Sequence, residues 1–398
     1  MSVQKEIEIR NHRKLGEELE LFMSSEESPG MPFYLPKGMI IRNELEQFWK
    51  RKHQEAGYEE IKTPIMMKQE LWEQSGHWDH YHENMYFSDV DEQQYALKPM
   101  NCPGAMLIFN HKRRSYRELP IRYAELGLVH RHELSGSLNG LLRVRAFTQD
   151  DAHLFVRKDQ IEREVDRVLD LIDEIYSKFG FSYEVELSTR PENYMGSIDL
   201  WNEAEQSLEK VLKQRGMAYR INTGDGAFYG PKIDFHILDS LGRSWQCGTV
   251  QLDFQMPGKF NCRYINEQNE LELPIIIHRA IFGSVERFLA ILVEHYAGEF
   301  PLWLAPEQVR IIPIADRHVP YAEVVKKELV AKGYRVTIDD RAEKIGLKIR
   351  ESEKQKVPYM MIVGDQEVEN QKVSVRKRKE GDIGQLQLND AVEMLSYP

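Results

Sequence analysis

Cysteine is scarce in these 398 residues: Cys102, Cys247 and Cys262 are all there is. So sparse and odd a set excludes a disulfide framework and suits a reducing compartment. No apolar run approaches the ~18 residues needed to span a bilayer. The opening residues, MSVQKEIEIRNHRK, lack the apolar core of a secretory signal. The chain is therefore expected to be cytoplasmic, with no membrane partner. Neither GxGxxG nor GxxxxGK[ST] occurs, so a bound nucleotide would not sit in a Rossmann or P-loop cradle. Internal repeats and low-complexity tracts are absent as well.

A basic excess is also missing. The net charge of −11 counts against a nucleic-acid partner when taken over the whole chain. By region the picture changes: residues 307–398 carry 17 Lys and Arg against 16 Asp and Glu, a net of +1, leaving −12 for residues 1–306. A polyanion would have to meet local basic patches. HKRRSYR at 111–117 and RKRK at 376–379 are two such patches, although each alone is more often a solvated face.

What is present is a globular composition, 41% hydrophobic and 29% charged, at a length that fits two or three domains. Leu15, Leu19 and Phe22 recur near a helical period and predict a helix over 11–23. SSEESPGMPFYLPKG is turn-rich. A helix is expected over 41–54, then a strand in GYEEIKTPIMM ending at Pro64. YALKP, RYAELGLVHRHE and RVRAFTQDDAHLF look like strands, and LSGSLNGLL like a mobile loop between the last two. Helices are expected over 159–178 and 200–215, a strand at FSYEVELST and paired strands across 217–262. IIIH then forms a short strand, followed by a turn and a helix from Ser284. Strands in runs, with helices apart from them, make an α+β fold on a mostly antiparallel sheet. FPLWLAP, with Pro301 and Pro306, looks like a linker. Beyond it strands and helices mix in a compact α/β domain of about 90 residues. The expected division is 1–300, a linker at 301–306, and 307–398.

Three groups of residues invite chemistry. Arg131, Glu133, Arg143, Phe147 and Gln149 lie on a hairpin with a flexible tip. A guanidinium can grip phosphate bidentately, a carboxylate can accept from an adenine amino group, and a ring can stack on the base. A charged exposed hairpin is the plain alternative. Arg287 opens a helix after a small-residue turn, a good place to meet phosphate; a surface salt bridge is the commoner fate of such an Arg. Cys102, His153 and His278 make a Cys-His-His set of the kind that binds zinc and leaves a fourth position open. Their separations of 51 and 125 residues match no local finger spacing, so spacing alone favours ordinary hydrogen-bonded histidines.

Taken together, MNCPG, HRHELSGSLNGLLRVRAFTQDDAHLF, GAFYGPKIDF, QCGTVQLDF, IIHRAIFGSVERF and EKIGLKIRE resemble threonyl-tRNA synthetases closely. The likeness runs from NHRKLGEELELF to the last helix. The three class II motifs stand in order: a helix and strand ending at Pro64, the hairpin 122–151, and the strand and helix of 275–292. The resemblance implies a class II antiparallel sheet with flanking helices, followed by an α/β anticodon-binding domain. It implies activation of L-threonine with ATP to threonyl-adenylate and transfer to the terminal adenosine of tRNA(Thr). It implies one Zn²⁺ per subunit on Cys102, His153 and His278, Mg²⁺ with ATP, and a homodimer formed through the Pro64 strand.

The resemblance also implies roles by position. Arg131 and Arg287 match the class-defining arginines on the α- and γ-phosphates. Glu133 and Phe147 match the adenine contacts, Arg143 covers the nucleotide, and Lys232 touches phosphate. Gln149, Asp151, Tyr229, Gln246 and Gln251 line the threonine and adenylate pocket, with Gln149 also in the ATP site. His77 acts in transfer to the tRNA ribose. Arg350, Glu367 and Arg376 read the anticodon.

Some positions depart from the family pattern: His132, Asn139, Ala105 and Ala146 stand where Asn, His, His and Gly are usual. Ala342 replaces an Asn tied to anticodon contact, and alanine cannot make that side chain's hydrogen bonds. Bacterial members usually carry an N-terminal domain that hydrolyses seryl-tRNA, whereas this sequence opens at the catalytic core. A paralogue that charges tRNA poorly, or a non-catalytic RNA-binding paralogue, is the alternative. A zinc hydrolase would leave the arginines unexplained and lacks an HExxH signature.

Overall fold

A computed structural model describes residues 3–396. These form two compact units. One comprises Ser24–Pro32 and Glu46–Ile291; the other gathers the described residues of Met1–Met23, Phe33–Leu45 and Leu292–Pro398.

The first unit is built on an eight-stranded sheet. Its strands are β1 (Glu59–Glu60), β2 (Ile121–His130), β3 (Ala146–Val156), β4 (Ser182–Ser188), β5 (Arg220–Asn222), β6 (Lys232–Leu238), β7 (Ser244–Asp253) and β8 (Ile275–Ala280). Their order is β5-β4-β6-β7-β8-β3-β2-β1. All pairings from β4 to β2 are antiparallel, and only the two edge pairs are parallel.

Side chains alternate along a strand, and directly paired residues share a face. Register therefore assigns the two faces. One rung runs Lys232, Gln251, His278, His153, Tyr123 across β6, β7, β8, β3 and β2. The next rung on that face is Asp234, Thr249, Ala280, Asp151, Glu125. This is the polar face. Its reverse holds Ile233, Val250, Leu252, Ile277 and Leu154, all fully buried. A buried aliphatic side chain contributes about 1.5–3 kcal/mol relative to exposure, so this reverse face sets the register and holds the polar face in place.

Helix α3 (Ile161–Phe179) packs against β7 and β8, and α5 (Val285–His295) follows β8 in the chain. They follow α1 (Pro36–Glu55) and α2 (Cys102–Asn110), and α4 (Ile198–Gln214) lies between them in sequence. Val165, Val168, Leu169, Ile172, Ile175 and Phe179 give α3 one buried stripe, and Gly180 ends it with φ +75. Phe288 of α5 stacks on Phe282 at 4.3 Å and meets Phe179 edge-on at 5.0 Å.

The second unit carries a five-stranded sheet of β9 (Val309–Pro313), β10 (Val336–Ile338), β11 (Tyr359–Val363), β12 (Lys372–Lys377) and β13 (Gly381–Gln387), ordered β10-β9-β11-β12-β13. The first three strands are parallel. Val309, Ile311, Met361, Val363, Val373 and Val375 pack on Ala322, Val325 and Leu329 of α6 (Val319–Ala331). Helices α7 (Ile345–Lys354), α8 (Asp365–Asn370) and α9 (Leu388–Ser396) also belong to this unit.

Several local expectations shift. The helix expected over 11–23 spans only His12–Glu18. Glu20 takes φ 57, and Phe22–Met23 pair as strand with Phe33–Tyr34, so sheet pairing overrides helical periodicity there. The helix expected from 41 begins at Pro36, whose fixed φ suits a first turn. The strand leading to Pro64 pairs only through Glu59 and Glu60. His153 lies inside β3, and Cys102 opens α2.

Candidate active site

The sulfur of Cys102 and one ring nitrogen each of His153 and His278 lie within 4.8 Å of one another, all three buried. Two features of the fold bring them together. His153 and His278 are cross-strand neighbours on β3 and β8, with ring centroids 4.9 Å apart. Cys102 enters from the first turn of α2. Asp253 Oδ2 lies 2.9 Å from His278 Nε2 and fixes that ring. His278 Nδ1 and His153 Nε2 are then left buried without hydrogen-bond partners. Two orphaned ring nitrogens beside a thiol, with a carboxylate behind one ring, form the arrangement of a metal-ligand set.

The electrostatics agree. Burial pushes the Cys102 thiol up, but the imidazoles of His278 and His153 outweigh it and bring it down to about 7. Burial pushes His278 down, while Cys102 and Asp253 bring it up to about 10. His153 is raised against the effect of burial by Asp151 and Cys102. A thiolate with imidazole ligands suits zinc among the common divalent ions.

Around this cluster the polar face supplies hydrogen-bonding groups. Gln251 pairs directly with both His278 and Lys232, and its Nε2 donates to Gly230 O at 3.2 Å. The Tyr229 ring lies 5.5 Å from that of His278. Asp151 accepts from Asn101 Nδ2 at 3.1 Å. Gln149 Oε1 is buried with no partner. Asp234 is a hub: it accepts from Ser188 Oγ at 2.8 Å, Gln246 Nε2 at 2.8 Å and Thr249 Oγ1 at 3.1 Å, and pairs with Lys232 at 2.7 Å. Lys232 also reaches Asp225 at 3.3 Å.

The hairpin residues gather beyond the end of β2. Strand pairing stops at His130 and Ala146, so Arg131, Glu133 and Arg143 lie in the connecting segment rather than on strands. Arg131 Cζ sits 5.0 Å from the Phe147 ring and 5.6 Å from the Tyr81 ring, and its Nε donates to Pro99 O at 3.1 Å. Arg143 is 59% exposed and pairs with Glu133 at 3.0 Å. Arg287 occupies the first turn of α5, and its Nε is buried without a partner.

Residues 85–296 match the tRNA synthetase class II core domain (G, H, P, S and T), and residues 308–397 match an anticodon binding domain. A crystal structure of the RNA binding domain of threonyl-tRNA synthetase from Cryptosporidium parvum is 43% identical, with a TM-score of 0.94, and the match covers 97% of this chain and 98% of that one. The chain belongs to the threonyl-tRNA synthetase family. The threonine–tRNA ligase of Carboxydothermus hydrogenoformans is 61% identical over 97% of this chain and 61% of its own length. That of Acetivibrio thermocellus is 60% identical over the same shares. The chain thus spans about three fifths of the length of these curated relatives.

Other residues singled out in the sequence lie apart from the cluster or are already engaged. His77 opens a short helix, is 1% exposed, and has Ser75 Oγ at 2.7 Å and Met100 Sδ at 3.0 Å. In the second unit, Arg350 is exposed on α7. Glu367 is buried on α8 and accepts from Gly364 N at 2.9 Å, Ser374 Oγ at 2.8 Å and Gln385 Nε2 at 2.6 Å. Arg376, on β12, has a buried Nε without a partner. Of the basic runs, RKRK is largely paired: Lys377 with Glu380 at 2.6 Å, Lys379 with Glu299, and Arg378 with Lys356 O. In HKRRSYR, Arg114 is buried against Phe109 O and Tyr123 Oη.

Sequence reasoning missed Asn101, Asp234 and Asp253. The signal was present as alternation: Asp234 stands two places after Lys232, and Asp253 two after Gln251, hence on the same face.

Proposed function

We propose that this chain is a threonine–tRNA ligase that activates L-threonine with ATP and transfers it to tRNA(Thr). The observation that carries the reading is the Cys102–His153–His278 cluster, whose two histidines share a rung of one sheet face with Gln251 and Lys232. Zn²⁺ on these three residues would leave a position for the amino and hydroxyl groups of threonine, a test that valine fails for want of a hydroxyl. A site built around a hydroxyl can reject its absence by about 10⁴–10⁵, whereas serine, lacking one methyl, is rejected only about 10–200-fold.

The chain's own residues do the rest by position and charge. Gln149, Asp151, Tyr229, Gln246 and Gln251 hold threonine and its adenylate. Arg131 and Arg287 grip the α- and γ-phosphates, and Lys232 adds a third cation. Glu133 accepts from the adenine amino group, Phe147 stacks on the base, and Arg143 closes over it; Mg²⁺ accompanies ATP. The threonine carboxylate attacks the α-phosphorus in line, and pyrophosphate leaves. Catalysis on this reading is orientation plus charge stabilisation. The ribose hydroxyl of the terminal adenosine then attacks the adenylate carbonyl. His77 is assigned to that step; its burial means that direct contact requires the segment around Gly76 to open.

Residues 1–300 are read as the catalytic domain and 307–398 as the anticodon-binding domain, joined by 301–306, with Arg350 and Arg376 facing tRNA. β1 is the edge strand of the eight-stranded sheet, which suits a homodimer formed through the Pro64 segment. No described helix is long and apolar enough to cross a membrane, and a cytoplasmic location fits a translation enzyme.

The test is ATP–pyrophosphate exchange with threonine, valine and serine, before and after chelation, with zinc counted by mass spectrometry. We expect exchange with threonine, less with serine and none with valine. Chelation should remove about one zinc per chain, as a single Cys-His-His set dictates, and abolish exchange. Metal-replete protein without exchange would sink the reading in favour of a non-catalytic RNA-binding role.

A further inference from the structure

Arg287 depends on a turn that the rest of the first unit holds from several sides. Residues 281–284 link β8 to α5. Asp150 of β3 is fully buried on the reverse face, and its Oδ2 accepts from Ile281 N at 2.8 Å and Phe282 N at 2.9 Å. Tyr176 of α3, also fully buried, donates its hydroxyl to Ile281 O at 2.7 Å. Glu286, the residue before Arg287, reaches back to accept from Thr148 N of β3 at 2.7 Å. Gly283 has φ +77 and passes so close to the Cys247 carbonyl that a side chain there would collide with it. Arg287 itself is held through its backbone, its N–H donating to Ser284 Oγ at 3.1 Å, while its Nε is buried with no partner.

Asp150 and Glu286 therefore tie the turn before Arg287 to β3, and Phe147 and Gln149 alternate with Thr148 and Asp150 along that same strand. Successive side chains on a strand point to opposite faces. One stretch of β3 thus presents nucleotide-facing groups on one side and anchors the second arginine on the other. A carboxylate that accepts two backbone N–H groups makes charge-assisted bonds, and its removal leaves both donors buried and unpaired.

We propose that Asp150 is a positioning residue for ATP binding: it touches no substrate, and with Tyr176 and Glu286 it sets the place of Arg287 relative to Phe147 and Gln149. This rests on the proposed function, in which those side chains meet ATP.

The test is a double-mutant cycle on MgATP affinity, read by titration calorimetry so that turnover is not required. D150N keeps the size of the side chain and an oxygen for the two N–H groups but removes the negative charge, so both bonds lose their charge assistance. It should weaken MgATP binding about tenfold, the scale of one charge-assisted hydrogen bond. Threonine binding should stay unchanged. R287A should weaken MgATP as well, and D150N/R287A should be no weaker than R287A alone, because one residue acts through the other. Tyr176→Phe, which removes one oxygen, should weaken MgATP in the same direction and also lose its effect in the R287A background. D150N within twofold of wild type, or losses that multiply in the double mutant, would overturn the assignment. If D150N does not fold, the Tyr176→Phe cycle decides by the same criteria. Wild-type protein that binds no MgATP would overturn the functional reading and this assignment with it.

Discussion

Asp253 lies behind His278 and holds the ring at Nε2, which leaves Nδ1 aimed at the cluster. Such a partner fixes the tautomer and the direction of a ligating imidazole. D253N should therefore weaken zinc binding about 10–100-fold, the usual cost of losing an outer partner, while the fold survives. Competition with a chromophoric chelator reads this directly, and affinity within twofold of wild type would refute it. Glu367 poses the opposite case. The family likeness casts it as an anticodon reader, yet in this chain its carboxylate is spent on Gly364, Ser374 and Gln385. E367A leaves the buried Gly364 N–H and the half-buried Ser374 hydroxyl without their acceptor and should cost roughly 1–3 kcal/mol in urea unfolding. Arg350→Ala, at an exposed position, should leave stability within about 0.5 kcal/mol and act only on tRNA affinity. Unchanged stability in E367A together with lost tRNA charging would restore the anticodon role to Glu367.

At the level of elements, the polar face is set by how closely neighbouring backbones can approach. Gly230 precedes β6, and a Cβ there would collide with the carbonyl of Leu252 on β7. Its own carbonyl receives Gln251 Nε2, and Tyr229 stands next to it. G230A must push two backbones apart, and overpacking of this kind costs about 1–3 kcal/mol. Because the shift falls between Tyr229 and Gln251, the KM for threonine should rise by more than the KM for ATP. Equal changes in both would mean that the strain spreads through the sheet instead. Much of this sheet was legible beforehand. The alternation in KIDFHIL and in WQCGTVQLD marks strands whose odd and even residues part to two faces, and the Val, Leu, Ile and Phe stripe of α3 marks its buried side. The short segment Phe22–Met23 was not legible, because its strand state comes from pairing with Phe33–Tyr34, eleven residues away in the chain. The anchoring of residues 281–286 by Asp150 and Tyr176 was hidden for the same reason: it joins three elements that no local pattern connects.

Across the whole molecule, the two basic runs visible in the sequence turn out to be poor guides to a polyanion surface. In RKRK, Lys377 and Lys379 are paired with Glu380 and Glu299 and Arg378 is bonded to a backbone carbonyl, and Arg114 of the other run is buried structure. Charge counted along a chain ignores which partner each cation has already found. The metal cluster shows the converse. Spacings of 51 and 125 residues carried no signal by themselves, because the contact is made by sheet register between β3 and β8 and by the entry of α2. The long motif strings exposed the family because they record those register constraints all at once. Amino-acid selection is where the whole chain can be put to the test. On the proposed reading, the polar face offers ligands for zinc and hydrogen-bonding groups that would recognise a hydroxyl, but serine presents that hydroxyl too. Losing one methyl from a pocket is worth only about 1–3 kcal/mol, or about 10–200-fold. Assayed as these 398 residues alone, the protein should therefore form seryl-tRNA once serine exceeds threonine by that ratio, and the product should persist. Acid-gel analysis of tRNA with labelled serine checks this. If no seryl-tRNA accumulates at a thousandfold excess of serine, either the pocket rejects serine far better than a missing methyl allows, or these residues hydrolyse the mischarged product at a site of their own.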